Sequence, residues 1–172
     1  MNGPVIALYK PQIPPNTGNI ARLCVAINSP LYIIGKTPIK WDDSSLKRAG
    51  LDHWQSLQFC HDLRLKSFLE KFSLAQCVAV TKSASKTIWE YSFQENEILL
   101  FGNETMGLPP ALLKIIPRHI KIPMWGESVR SLNLSNSVAI TAYEYIRQRS
   151  YNTINGEVGL NYARTYYKKE RK

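Results

Sequence analysis

Short apolar runs and helical stripes take turns along most of the chain. Residues 4–9 (PVIALY), 31–35 (LYIIG), 76–81 (QCVAVT), 97–101 (EILLF) and 119–122 (HIKI) are brief and mostly continuous in their apolar character. That pattern predicts strands buried on both faces. A sixth run, 54–60 (WQSLQFC), is a weaker strand candidate. Between the runs, Ile20, Leu23, Cys24 and Ile27 recur at i, i+3, i+4 and i+7, and Leu65, Phe68, Leu69 and Phe72 repeat the spacing, so each set forms one apolar stripe of a helix. Pro109 and Pro110 suit the first turn of a short helix over 109–116. Val138, Ala142, Tyr145 and Ile146 mark a last helix of about four turns. Strands and helices in this alternation predict an α/β fold with a mostly parallel sheet covered by helices on both faces. Ligands of such sheets bind beyond the carboxyl ends of the strands, which directs attention to the loops beginning near residues 10, 81, 102 and 123.

The chain has 172 residues, 44% of them apolar and 20% charged, the composition of one ordinary globular domain. No apolar run approaches the roughly 20 residues that cross a bilayer, and MNGPVIALYK has no basic region ahead of its apolar stretch. Neither a membrane partner nor an export signal is expected. Cys24, Cys60 and Cys77 are odd in number and show no CxxC spacing, which predicts reduced thiols in a cytoplasmic protein, each a small core residue.

Charge changes the picture more. Twenty-two Lys and Arg against 13 Asp and Glu leave a formal +9, which suits an anionic partner, usually nucleic acid. The final stretch carries Arg164, Lys168, Lys169, Arg171 and Lys172 against Glu157 and Glu170 on a weak apolar pattern. The expected organisation is therefore a domain over residues 1–150 and a basic C-terminal extension over 151–172.

The loops at the expected strand ends hold much of the polar, Gly and Pro chemistry. In KPQIPPNTGN (10–19) the prolines stiffen the approach to a helix whose start Asn16, Thr17 and Gly18 can cap, while Asn19 and Arg22 lie off its apolar stripe. FGNETMGLP (101–109) supplies two glycines and the carboxylate of Glu104, but no Lys-Ser/Thr follows, so it is no P-loop. IPMWGESVRSLNLSNS (122–137) leads into the last helix, with Asn133 or Ser135 as its cap. His53, His61 and His119 lack metal-ligand spacing, no GxSxG elbow occurs, and no Cys stands in a nucleophile context. No metal is expected.

Taken together, IPPNTGNIAR (13–22), FGNETMGLP (101–109) and IPMWGESVRSLNLSN (122–136), in this order and spacing, resemble the three motifs of the SPOUT-class RNA 2'-O-ribose methyltransferases. The similarity is greatest to the single-domain subgroup acting on the tRNA wobble nucleotide, the tRNA (cytidine/uridine-2'-O-)-methyltransferases, and LKRAGLDHW (46–54) resembles a further segment of that subgroup. The chain departs at His53, where Tyr is common, and in its basic extension. The resemblance implies a C-terminal trefoil knot, an exception to the unknotted rule. It also implies a homodimer, S-adenosyl-L-methionine as methyl donor and a tRNA anticodon loop as substrate. Carried over by position, the donor site falls on Val80, Gly102, Ile122, Ser131 and Leu132. Arg22 takes the place of the arginine at the transferred methyl, and Asn16, Glu104 and Asn133 match the other polar motif positions. The first and last helices, the latter with Val138, Ala142, Tyr145 and Ile146, are the expected dimer faces.

The implied reaction moves a methyl from a sulfonium to the 2'-hydroxyl of a wobble cytidine or uridine. A guanidinium is a permanent cation and a poor base. Arg22 is therefore expected to orient the hydroxyl or a flanking phosphate and to stabilise developing negative charge, with Glu104 or an RNA phosphate accepting the proton. The alternatives are 2'-O-methylation at another tRNA or rRNA position, and a non-catalytic knotted RNA-binding module.

Overall fold

In a computed structural model the chain is described over residues 3–41, 56–126 and 128–153. The elements run β1 (Val5–Tyr9), α1 (Pro14–Ala26), β2 (Leu31–Ile34), β3 (Phe59–Leu63), α2 (Leu65–Lys71), a 3-10 turn (Leu74–Gln76), β4 (Cys77–Val80), β5 (Ile98–Phe101), α3 (Pro110–Ile115), β6 (Arg118–Ile120) and α4 (Leu134–Thr153). The strands form one six-stranded sheet in the order β3-β2-β1-β5-β4-β6, parallel at every pairing.

The continuous apolar runs are explained by the two-residue period of a strand inside a covered sheet. Ile6, Leu8, Val78, Leu99 and Phe101 point to one face, where Ile20, Ala21 and Cys24 of α1 and Val138, Ala142 and Tyr145 of α4 pack on them. Ala7, Cys77, Ala79, Ile98 and Leu100 point to the other, against Phe68 of α2 and Leu112 of α3. Each fully buried Leu or Ile contributes about 1.5–3 kcal/mol of apolar transfer, which holds both layers on the sheet.

Two expectations need correction. The weak strand at 54–60 lies instead at Phe59–Leu63, because strand β2 offers partners only from Leu31 onward and pairs it with Phe59. Cys24 and Cys77 are buried, but Cys60 is only half-buried, since among the described residues β3 is the edge strand of the sheet. Residues 46–54 lie outside the described residues, and of 151–172 only the helical backbone to Thr153 is described.

The strand order creates the crevice. From β1 the chain moves outward to β2 and β3, whereas β5, on the other flank of β1, is followed by a strand beyond β4. The loops leaving the carboxyl ends of β1 and β5 therefore diverge, and ligands of open parallel sheets bind at such a point.

Candidate active site

The loop after β5 is folded on itself. Asn103 Oδ1 accepts the N–H groups of Thr105 at 3.1 Å and Met106 at 2.6 Å, and Gly107 N–H donates to Asn103 O at 3.0 Å. A Cβ on Gly102 would overlap the backbone of Gly107 and Leu108, and Gly107 itself sits at φ +68°. Both glycines are thus required by the loop's own closure.

Helix α1 begins without the expected cap. Its N-cap is Ile13, whose side chain caps nothing, while Asn16, Thr17 and Gly18 lie buried inside the first turns. Pro14 and Pro15 carry no N–H, so two of the usual orphan donors do not exist. What serves the helix start comes from the β5 loop. The Glu104 carboxylate accepts Gln12 N–H at 2.9 Å, Ile13 N–H at 3.1 Å and the Asn16 amide Nδ2 at 2.9 Å. It also puts a negative charge at a helix N-terminus whose own first turn has no acid.

The third motif joins the same network. Asn133 caps α4, its Oδ1 accepting Ser135 N–H at 2.8 Å, Ser135 Oγ at 2.7 Å and Asn136 N–H at 3.4 Å. Its Nδ2 donates to Asn16 Oδ1 at 2.8 Å. Glu104, Asn16 and Asn133 are therefore one hydrogen-bonded chain linking segments far apart in sequence. Asn16 at its centre is only 5% exposed, so a break there would leave buried polar atoms unpaired.

Beside this network, at the carboxyl ends of the strands, lies an open cavity of about 570 Å³. Val80, Gly102, Ile122, Ser131 and Leu132 all line it, as do Asn16, Glu104 and Asn133. So do Thr81, Lys82, Phe101, Leu108, Leu113 and Met124, which the motif positions alone did not single out. The signal for them was the loop beginning at residue 81 and the apolar run before it. Arg22 is apart: it is exposed and absent from the cavity wall. Six residues at 100° each put it about 120° around the helix from Asn16 and roughly 9 Å farther along.

The cavity has the size and lining of a small-molecule site. Its volume lies in the usual range of about 300–1,000 Å³ for small-molecule sites, and Val80, Ile122, Leu132 and Leu108 give apolar walls around a few polar groups. The thiols and imidazoles among the described residues are otherwise placed. Burial pushes the Cys24 thiol up to about 12 and that of Cys77 to about 11, the latter against a weaker pull from Arg118, so neither is a thiolate at neutral pH. His119 is tied to Leu113 O at 3.0 Å and His61 pairs with Asp62 at 2.9 Å. Among the described residues no group of His, Cys, Asp or Glu is arranged to hold a metal, and no helix is long and apolar enough to cross a membrane.

Comparison with known proteins places these features in context. Residues 3–143 match the SpoU rRNA Methylase family. The chain is 41% identical to the tRNA (cytidine(34)-2'-O)-methyltransferase of Yersinia pestis over 153 residues, covering 85% of this chain and 94% of that one. The enzyme of the same name from Escherichia coli K12 is 41% identical over 148 residues, with the same coverage. A solved structure addressing the 2-OH methylation of C/U34 on tRNA superposes with a TM-score of 0.79 at 38% identity, covering 85% of this chain and 95% of that one. The SpoU methyltransferase AviRb from Streptomyces viridochromogenes, in complex with the cofactor AdoMet, gives a TM-score of 0.74 at 25% identity over 84% of this chain and 59% of its own.

Proposed function

This chain belongs to the SpoU rRNA Methylase family, and we propose that it transfers a methyl group from S-adenosyl-L-methionine to the 2'-hydroxyl of the wobble cytidine or uridine of tRNA. The observation that carries this reading is the joining of the three motif segments, through Glu104, Asn16 and Asn133, around one cavity at the strand ends.

In this reading Val80, Ile122 and Leu132 hold the adenosine, with Gly102 and Ser131 contributing the closest backbone and a polar edge. When bound, S-adenosyl-L-methionine supplies an electrophilic methyl whose sulfonium departs as a neutral thioether. The protein's task is alignment. The network keeps the walls of the cavity at fixed separation, so that the target oxygen meets the methyl in line. Glu104 acts as a positioning residue, because both its oxygens are already engaged by three donors. The hydroxyl proton then passes to a phosphate of the RNA. Arg22, outside the cavity, is assigned to the acceptor side, where its cation orients a phosphate flanking the target ribose.

The fold is read as carrying the trefoil knot of the SPOUT class, and the enzyme as a cytoplasmic homodimer. The dimer face on α4 needs revision: Val138, Ala142 and Tyr145 are buried against this chain's own sheet, whereas Ile140 and Tyr143 are exposed on the outer side of the helix. The interface is assigned to that outer side together with α1.

Mass spectrometry of tRNA incubated with enzyme and donor tests the reading. The methyl is expected on the first anticodon nucleotide. A methyl elsewhere on tRNA or on rRNA would keep the chemistry and change the substrate, and calorimetry showing no donor binding would leave a non-catalytic RNA-binding module.

A further inference from the structure

Outside the cavity, the loops after β4 and β6 run together: Thr87 pairs with Lys121, Ile88 N–H donates to Lys121 O at 2.9 Å, and Lys121 N–H donates to Lys86 O at 2.9 Å. Just beyond this junction Trp89 and Trp125 stack on one another, ring centroids 5.9 Å apart and 27° from parallel. They are 58% and 80% exposed, so each indole keeps more than half of its surface open. Large exposed aromatic surface in a folded protein marks a place where something binds.

Position and charge narrow what that is. Trp125 follows Met124, which lines the cavity, so the indole pair adjoins the site where the ribose must lie. Lys82, also in the cavity wall, and Lys86 are exposed on the same loop, and Lys121 is half-buried at the junction. Among the described residues the neighbouring carboxylate Glu90 is turned to Thr87, accepting its N–H at 2.8 Å. That bond first, and the charges of Lys121 and Lys86 more weakly, hold the Glu90 carboxyl below its usual range. An aromatic face beside lysines is the way proteins hold unpaired bases of single-stranded nucleic acid. A second copy of this chain fits less well, because a two-fold contact at this patch would set these lysines against their own mates.

Resting on the RNA-modifying function above, we propose that the Trp89–Trp125 pair is a stacking platform for an unpaired base next to the nucleotide whose ribose is methylated. The platform sets which stretch of RNA backbone crosses the cavity, and it does so without reading base identity, since every base has a π face.

The test uses the full chain and a single-stranded RNA oligonucleotide without donor. Trp89→Ala and Trp125→Ala should each weaken binding roughly tenfold, while Trp→Phe at either position stays within about threefold of wild type, because a smaller aromatic face remains. Melting temperature, donor affinity by calorimetry and mass by light scattering should not change. Alanine variants that bind the oligonucleotide as wild type does would overturn the proposal, as would a change of oligomeric state on substitution, which would make this patch a protein interface. Methyl transfer to tRNA by the wild type reports separately. Tryptophan-dependent oligonucleotide binding without transfer would sustain the platform and refute the activity.

Discussion

Strand β5 has a glutamate near each end, and the two are employed differently. Glu97, just before Ile98, is 1% exposed; its Oε1 accepts Arg118 Nη1 and the Tyr91 hydroxyl, both at 2.6 Å. Glu104, just past Phe101, stays half-buried on the cavity wall and accepts three donors from the start of α1. Glu97 ties β5 to β6 across β4, at the amino edge of the sheet, and does not line the cavity at the carboxyl ends. Glu104 ties two motif loops together, at the carboxyl edge where the ligand arrives. The same residue type on the same strand thus holds the fold at one end and shapes the site at the other, according to which edge of a parallel sheet it occupies.

The contrast is sharpest for Glu97→Ala. Removing one partner of a buried pair leaves the other charge uncompensated, typically a cost of about 3–5 kcal/mol. Arg118 keeps 27% of its side chain exposed, so the low end, about 3 kcal/mol, is expected. Thermal melts should shift down by roughly 6–12 °C for a domain of this size, with the specific activity of the folded fraction retained. Loss of turnover in a fully folded sample would dissolve the distinction between the two ends.

Arg22→Ala should behave in the opposite way. Turnover on tRNA should fall by about 10²–10³, equivalent to about 2.7–4 kcal/mol, typical of one electrostatic stabiliser. Donor affinity should stay within a few-fold and the melting temperature within about 1 °C, because the side chain is exposed and outside the cavity. Normal turnover would remove Arg22 from the acceptor side. Arg22→Lys separates charge from the planar fork.

Glu104→Gln is milder. One carboxylate oxygen becomes an NH2 group that donates and cannot accept, so either Gln12 N–H, or Ile13 N–H and Asn16 Nδ2, lose their acceptor and the first motif loosens against the second. Donor affinity measured by calorimetry should drop about tenfold, in line with the 1.5–3 kcal/mol of a hydrogen bond to a charged group. An unchanged affinity would mean that the tether does not shape the cavity.

A further effect is alkaline. Burial raises the Cys77 thiol from 9.0 to about 11 and the Cys24 thiol from 9.0 to about 12. Burial first, then the hydrogen bond to Glu97, raises Tyr91 above its ordinary 10.0. Each group is raised in the folded state, so its contribution is complete below the unfolded value and is lost as pH climbs through the folded one. Stability should be flat to about pH 9 and decline toward pH 11, reported by melts across that range. Flat stability to pH 11 would show that these groups are not held protonated by the fold.

Much of the architecture was legible along the chain, because burial on both faces of a parallel strand demands unbroken apolar runs such as VIAL and ILLF. The last helix was legible in kind but longer than its apolar stripe, spanning Leu134–Thr153, since polar residues continue it by propensity once the stripe is packed. The edge strand was misplaced, because an edge has only one neighbour to set its register and a weaker apolar pattern to announce it.

The candidate site divides in the same way. Local order depends on neighbours in sequence, so the chain by itself determined that polar, glycine-bearing loops follow buried strands, that two prolines open α1, and that Asn133 can cap α4. Which groups meet is a matter of strand order. Only the adjacency of β1 and β5 brings Glu104 to the helix start at Ile13, and only the return of α4 over the sheet brings Asn133 to Asn16. Gly102, expected from the motifs in the donor site, lines the cavity, but the space a Cβ would take there is filled by the backbone of Gly107 and Leu108. Arg22, expected from the motifs beside the transferred methyl, lies outside the cavity wall. A hydrogen bond acts over about 3 Å, whereas these partners are separated by up to 117 residues, and nothing short of the packed sheet specifies that contact.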